Sequence, residues 1–436
     1  MKYAEMKIAI IGTGITGRSC AQFLHAEGAH VHMFDTRAPL ATDISYPVEW
    51  GAIDVSRLIA FELIVVSPGV SLATPAIQAA MEAGIDVVGD VELFARENRN
   101  PVIAVTGSNG KSTVVSLLGA IFNSAGLNAS VVGNIGTPVL QAWQAVKDNT
   151  EHWLIMELSS FQLESTRSLR ANAAVILNIS EDHLDRHNTM TEYTAAKRQI
   201  FNHAEQCIVN RDDQYIAAFQ PNKALTFGLS ESGVGMSWDA ARQVILYNGK
   251  DCIDVSKCSM YGEHNVLNMQ AATLLALSAG VGKDAIQKAL QTFTGLPHRY
   301  QRIATHHSVR WINDSKATNP GAAMASISAA RHQTDGRLVV ILGGDAKGAD
   351  LNSMRQQIQR DVDYVVALGK DGRVFLDMND NSVYVDSMLQ AVRVADAIAK
   401  SNDTVLLAPA CASLDMYTNF EHRGDAFVEA VEALAA

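Results

Sequence analysis

Pro101-Val102-Ile103-Ala104-Val105-Thr106-Gly107-Ser108-Asn109-Gly110-Lys111-Ser112-Thr113-Val114-Val115 is the stretch on which the fold turns. Val102 to Val105 is a short, nearly continuous apolar run, the pattern of a strand buried on both faces of a parallel sheet. It breaks at glycines and resumes as an apolar segment with helical spacing. Strand, glycine loop and helix in that order form a phosphate cradle. Consecutive backbone N–H groups wrap the anion, Lys111 neutralises charge, and the Ser112 hydroxyl suits Mg²⁺. The strict pattern places Gly five positions before Gly110, where this chain has Val105, so the loop is a variant. Gly107, Ser108, Asn109, Gly110, Lys111, Ser112 and Thr113 are its expected phosphate contacts.

The same alternation extends in both directions. Strand-like runs cover Lys7–Gly12, Leu63–Gly69, Trp153–Leu158, Ala174–Asn178, Leu338–Gly344, Tyr364–Gly369 and Thr404–Pro409. Helix-like stretches cover Thr16–Glu27, Thr113–Ala125, Asn268–Ala279 and Met388–Ala399. The predicted fold class is therefore α/β, with ligands expected where parallel strands end. A length of 436 residues is about three times the ~150-residue prior for a domain. Polar breaks at Asn98–Pro101 and Gly295–Pro297 place joins near residues 90 and 296, giving domains 1–90, 91–295 and 296–436.

Composition narrows the partners. Hydrophobic residues make up 48% and charged residues 19%, which excludes a disordered chain, a coiled coil and a collagen-like repeat. A net charge of -11 with no Lys/Arg run argues against nucleic acid and anionic membrane. Cys20, Cys207, Cys252, Cys258 and Cys411 form no CxxC pair, as expected of reduced thiols. The start shows no signal-peptide pattern, and no run of ~20 apolar residues spans a membrane. A cytoplasmic protein acting on small molecules is expected.

Three further groups carry chemistry. Gly12-Thr13-Gly14-Ile15-Thr16-Gly17, with Asp35 at the end of the next strand, is a dinucleotide-binding pattern. Asp35 is placed to accept from sugar hydroxyls. NAD and a UDP-sugar offer the same two phosphates, and a purely structural glycine turn is a third reading. Glu157 and His183 follow strands in the domain of the phosphate loop and are candidate Mg²⁺ ligands; Lys197 follows on a helix. In the last third, Asn313-Asp314-Ser315-Lys316-Ala317-Thr318-Asn319, Gly343-Gly344-Asp345-Ala346-Lys347 and Ala410-Cys411-Ala412-Ser413 follow strand-like runs. Lys316, Lys347, Thr318 and Ser413 suit an anionic amino acid or a transferring phosphate. Cys411 lacks the partners of a nucleophile.

Together these motifs, with Gly-Asp-Val-Glu-Leu-Phe (89–94), Gly-Asn-Ile-Gly (133–136), Glu-Leu-Ser-Ser-Phe-Gln-Leu-Glu (157–164), Glu-Asp-His-Leu-Asp-Arg (181–186) and Thr-Gly-Leu-Pro-His-Arg (294–299), resemble the Mur ligases of peptidoglycan synthesis over the whole length. An Asp-Asn-Pro-Arg signature, carried by the relative that adds a diamino acid, is absent, which favours the glutamate-adding branch. The resemblance implies a Rossmann-like UDP-binding domain, a central P-loop ATPase with a parallel sheet, and a C-terminal Rossmann-like domain. It implies UDP-sugar contacts at Ile15, Thr16, Asp35, Thr36, Arg37, Gly69 and Asn134, and further ATP contacts at Asn268, Arg299 and Asp314. For D-glutamate it implies Thr318, Lys347, Ser413 and Phe420. Mg²⁺, one or two ions, falls to Ser112, Glu157, His183 and a carbamylated Lys197. Lys111, Lys197, His183 and Lys316 become the catalytic set of a monomeric ligase working through an acyl phosphate. A nicotinamide-dependent oxidoreductase is the rival; it leaves the Gly-Lys-Ser-Thr loop without a role.

Overall fold

The computed structural model describes residues 2–37, 44–218, 221, 223–260 and 262–434, with the side chain of Asp185 outside the description. It is α/β with three main sheets, which is the expected three-domain architecture. The chain groups into two compact units. The first holds Met1–Asn178, Thr191–Ile253 and Met269–Leu290; the second holds Ile179–Met190, Asp254–Asn268 and Gln291–Ala436.

In the first unit, a five-stranded sheet runs in the order Val48–Trp50, His30–Asp35, Lys7–Ile11, Leu63–Val66, Asp86–Val88, every pairing parallel. Lys7–Ile11 is central, and Ile8 to Ile11 are at most 1% exposed, as a continuous apolar run demands. The chain leaves this strand through Gly12, at φ +105°, into the helix Ile15–Ala26. A Cβ on Gly17 would lie 1.9 Å from the Gly12 carbonyl oxygen, so helix and strand pack this closely only with glycine there.

A six-stranded parallel sheet follows, in the order Leu225–Phe227, Gln206–Asn210, Ala173–Ile176, Val102–Thr106, Trp153–Glu157, Ala129–Gly133. Val102–Thr106 lies between two fully paired neighbours, with Val105 opposite Glu157 and Thr106 opposite Ile176. The helix Lys111–Ser124 starts immediately beyond it. A seam joins this layer to the N-terminal one: Trp143 meets Phe23 and Phe94 edge-on, each with ring centroids 6.0 Å apart. Beside it, the buried Glu92 carboxylate accepts from the Arg167 and Ser168 N–H groups at 2.7 and 2.9 Å. Those bonds tie residue 92 to a loop 75 residues later.

The second unit carries a mixed six-stranded sheet: Gln301–His306, Val309–Asn313, Thr404–Leu407, Leu338–Gly343, Tyr364–Leu368, Ser382–Tyr384. Only its first pair is antiparallel. That hairpin, and a separate small sheet of Met236–Asp239, Val244–Tyr247 and Lys250–Asp254, depart from the uniform alternation expected from sequence. Asn248-Gly249, both at positive φ, make the two-residue turn between the last two of those strands. All five cysteines are free. Among the described residues no helix is long and apolar enough to cross a membrane.

Candidate functional site

The phosphate loop emerges at the carboxyl end of Val102–Thr106. Gly107 and Gly110 take φ values of +154° and +83°, which other residues rarely adopt, so the glycines set its curvature. Asn178, at the end of the neighbouring strand run, fastens it. Its carbonyl accepts from Ser108 N–H at 2.9 Å, and its side chain both accepts from Asn109 N–H at 2.8 Å and donates to the Asn109 carbonyl at 3.1 Å. Lys111 Nζ donates to the Gly107 and Ser108 carbonyls at 2.8 and 2.9 Å, which holds its ammonium over the loop.

Lys197 reaches the same loop from the helix Met190–Arg198. It is 2% exposed, and its Nζ donates to the Gly107 carbonyl at 2.9 Å while facing the Tyr193 ring at 4.7 Å. Tyr193, one helical turn earlier, places its hydroxyl 3.0 Å from Ser108 Oγ. Lys197, which the resemblance makes a carbamylated Mg²⁺ ligand, is thus a buried neighbour of the phosphate cradle. Glu157 is 1% exposed. Its Oε1 accepts from Asn134 Nδ2 at 2.8 Å, whereas Oε2 is buried with no hydrogen-bond partner. A buried carboxylate oxygen in that state is costly unless a cation completes it, so Glu157 fits the Mg²⁺ expected there.

At the glycine turn of the N-terminal sheet, Asp35 is 4% exposed and takes five internal donors. Thr13 N–H and Oγ reach Oδ2 at 2.9 and 2.7 Å; Arg37 N–H and Nε reach Oδ1 at 3.0 Å, and Arg37 Nη2 reaches Oδ2 at 2.8 Å. The Arg37 guanidinium holds this carboxyl well below the usual carboxylate range. Sequence reading gave Asp35 a direct bond to sugar hydroxyls. In the structure its oxygens are already taken, and the groups it presents are the exposed Thr36 and Arg37. Ile15 stands 79% exposed on the same turn, beside the half-buried Thr16, and Gly69 is exposed at the end of the adjacent strand run.

The remaining predicted residues belong to the second unit. His183, at φ +55°, precedes the short helix Leu184–His187. Its segment groups there because Asn319 Nδ2 meets Asp182 Oδ2 at 3.4 Å and Gly321 packs against Ser180. Sequence reading had placed His183 in the same body as the phosphate loop. Asn268 donates to Asn265 Oδ1 at 3.2 Å. Asp314 accepts from Tyr300 N–H at 3.1 Å and from the Ser326 hydroxyl, and burial pushes its carboxyl up to about 6, opposed in part by the nearby Arg299 charge. Lys316 Nζ lies 3.9 Å over the Phe420 ring. Thr318 is half-buried, Ser413 is buried, and Lys347 is exposed at φ +50°. Burial raises the Cys411 thiol to about 12, which leaves it inert as a nucleophile.

Arg423 was invisible to sequence reading. It sits in the helix Phe420–Glu432 among charged neighbours yet is 2% exposed. It donates to Ser315 Oγ at 3.0 Å and to the Ser315 and Cys411 carbonyls at 2.8 and 3.0 Å, tying two of the predicted loops together. Asn178 and Tyr193 were missed as well; their positions, just beyond a strand and one turn before Lys197, are the only local signals.

Three family descriptions match the chain in order: Mur ligase MurD-like, N-terminal domain, over residues 6–89; Mur ligase middle domain, over 105–276; and Mur ligase, glutamate ligase domain, over 298–411. The chain belongs to the Mur ligase family. Among solved structures it is similar to a pseudomurein peptide ligase type C from Methanothermus fervidus (TM-score 0.64, 18% identity, 99% of this chain and 100% of that one). It is also similar to the UDP-N-acetylmuramate-alanine ligase MurC from Thermotoga maritima (TM-score 0.61, 19% identity, 99% and 100%). At such identities the likeness concerns the fold. Nearer in sequence are proteins named UDP-N-acetylmuramoylalanine--D-glutamate ligase. The one from Pasteurella multocida is 39% identical over 98% of both chains, and the one from Escherichia coli (strain K12) is 40% identical over 99% of both.

Proposed function

We propose that this chain joins D-glutamate to UDP-N-acetylmuramoyl-L-alanine at the expense of ATP, an amide-forming step of peptidoglycan precursor synthesis. The observation that carries the reaction type is the glycine loop with Lys111 beside a buried carboxylate, Glu157, that keeps one oxygen without a protein partner. The named relatives, matched end to end, support the substrates.

The L-alanyl carboxylate attacks the γ-phosphorus of ATP, the bond to the bridging oxygen breaks, and ADP leaves. The glutamate amine then attacks the acyl carbon; the C–N bond forms, the C–O bond to phosphate breaks, and the amine gives up a proton. Carboxylate is a poor electrophile because oxide is a poor leaving group, and phosphorylation supplies a better one. It also brings anions together. Lys111, with the loop N–H groups, offsets that charge, as does Lys316; a single such donor is worth about 3 kcal/mol in a transition state. Mg²⁺, held by Ser112, Glu157 and a carbamylated Lys197, with His183 in the role the family resemblance implies, supplies charge neutralisation at the phosphates.

Gly107 to Thr113, with Asn268, Arg299 and Asp314, serve ATP in this reading. Ile15, Thr16, Thr36, Arg37, Gly69 and Asn134 serve the UDP-sugar, and Asp35 holds Arg37 in place. Thr318, Lys347, Ser413 and Phe420 serve D-glutamate. We assign domains 1–90, 91–295 and 296–436, a cytoplasmic location and a monomeric state to the same reading. Its test is phosphate release from Mg-ATP with UDP-N-acetylmuramoyl-L-alanine across a panel of amino acids. Release confined to D-glutamate is expected. Release with another amino acid would move the specificity, and none with any would overturn the ligase assignment.

A further inference from the structure

Lys347 stands in the left-handed region, at φ +50°, where a side chain with a Cβ is rarely found. Such a conformation persists only when the surroundings impose it, and here they are explicit. Three loops leave the carboxyl ends of three neighbouring strands, Thr404–Leu407, Leu338–Gly343 and Tyr364–Leu368, and are bonded into a closed ring. Asp345 exchanges both backbone bonds with Ala412, at 3.0 and 2.8 Å. Ala346 N–H donates to Asp371 Oδ2 at 2.8 Å, and Asp371 N–H donates back to the Gly344 carbonyl at 2.9 Å. Lys370 N–H donates to Asp415 Oδ2 at 2.8 Å, which returns the ring to the loop that bears Ser413. Inside the ring, Lys347 N–H donates to Asp345 Oδ1 at 2.9 Å.

The packing allows little slack. A Cβ on Gly344 would lie 2.1 Å from the Ala412 carbonyl oxygen, and one on Gly369 would lie 2.8 Å from the Gly344 backbone. Placing Asp345, Asp371 and Asp415 together is costly where an anion is to be bound. The Lys370 ammonium, 3.2 Å from Asp345 Oδ2, offsets part of that cost. Two of these carboxylates act directly on the backbone at Lys347: Asp345 accepts its N–H, and Asp371 accepts the N–H of Ala346 just before it.

We infer that Asp371 is a positioning residue for recognition of the amino-acid substrate: by bonding both sides of residue 345 it holds the 344–347 segment in the conformation that presents Lys347 to the glutamate carboxylate. The inference rests on the assignment of Lys347 to D-glutamate made above. Asp371 touches no substrate in this scheme and acts through Lys347.

The test is a double-mutant cycle on the full chain, read as KM for each substrate. Asp371→Ala should raise KM for D-glutamate about tenfold, with kcat within twofold and KM for ATP and the UDP-sugar unchanged. Lys347→Ala should raise KM for D-glutamate at least as much, and Asp371→Ala in that background should add less than twofold. Asp371→Asn, which keeps an acceptor oxygen for Ala346 N–H, should restore most of the loss. Equal effects of Asp371→Ala with and without Lys347 would overturn the positioning role while leaving the glutamate assignment intact. An unchanged KM in Lys347→Ala would remove that assignment, and the inference with it. Should Asp371→Ala fail to accumulate as folded protein, Asp371→Ser, whose hydroxyl is too short to span the gap, takes its place in the cycle.

Discussion

Replacing Asn178 with alanine tests whether the phosphate loop is built before ATP arrives. The side chain makes two bonds to Asn109, one accepted at 2.8 Å and one donated at 3.1 Å, while the backbone bond from Ser108 N–H survives the substitution. At about 1 kcal/mol for each lost neutral bond, the loop loses about 2 kcal/mol of preorganisation. If ATP binding must restore the loop's shape, that converts to about a 30-fold rise in KM for ATP. Asn178→Asp keeps the acceptor, loses the donor, and should fall between. The assay is ADP formation at saturating UDP-sugar and D-glutamate, with ATP varied. KM for the other two substrates should stay within twofold, because the damage is confined to the loop. An unchanged KM for ATP in Asn178→Ala, in a protein of wild-type thermal stability, would refute the reasoning. So would an equal rise for all three substrates.

Other consequences can be measured alongside. Lys197→Ala should be slow and partly restored by short carboxylates added to the assay, which would replace the carbamate's negative charge; full activity without them would dismiss the carbamate. Burial raises the Asp90 carboxyl to about 6. The folded state therefore favours its protonated form, and stability falls as pH rises from about 4 to about 6, by about 3 kcal/mol for a shift of two units. Asp90→Asn should remove most of that change in urea unfolding compared at pH 4 and pH 7, and an unaltered difference would count against it. Glu92→Ala should cost about 3 kcal/mol in the same urea assay, since it removes the acceptor of the part-buried Arg167 and Ser168 N–H groups and the partner of Arg96. A loss below 1 kcal/mol would mean that water replaces the carboxylate.

The strands were legible because burial on both faces writes an unbroken apolar run. Val102 to Val105, Leu338 to Leu342 and Tyr364 to Leu368 show it, and each ends where glycine turns the chain away from the strand. The phosphate loop was legible for the same reason: its residue types are set by local backbone geometry. What local sequence cannot carry is the identity of a distant partner. Arg423 and the exposed arginines look alike in sequence, and only the packing of its helix brings it to Ser315, 108 residues away. Asp35 was singled out in sequence as an acceptor for sugar hydroxyls, whereas in the structure its oxygens take internal donors. Of its partners, Arg37 is a local one two residues on, and Thr13 became visible only once the strand ends had been brought together. The small antiparallel sheet was missed although its Asn248-Gly249 turn is a strong local signal, because the reading followed apolar runs rather than turns.

The aromatic seam between the first two sheets bears on how this chain can be cut. The N-terminal family description stops at residue 89 and the middle one starts at 105, which invites a fragment that ends between them. Such a fragment would carry Phe23 without Trp143, and Phe94, if retained, would lose the same ring. If it ran past residue 92, it would also carry a Glu92 carboxylate stripped of its Arg167 and Ser168 N–H donors. Its raw edge would be greasy and short of hydrogen-bond partners, a surface prone to self-association. For crystallisation fragments, split reporters or grafted modules, the first two sequence domains are best handled as a single part.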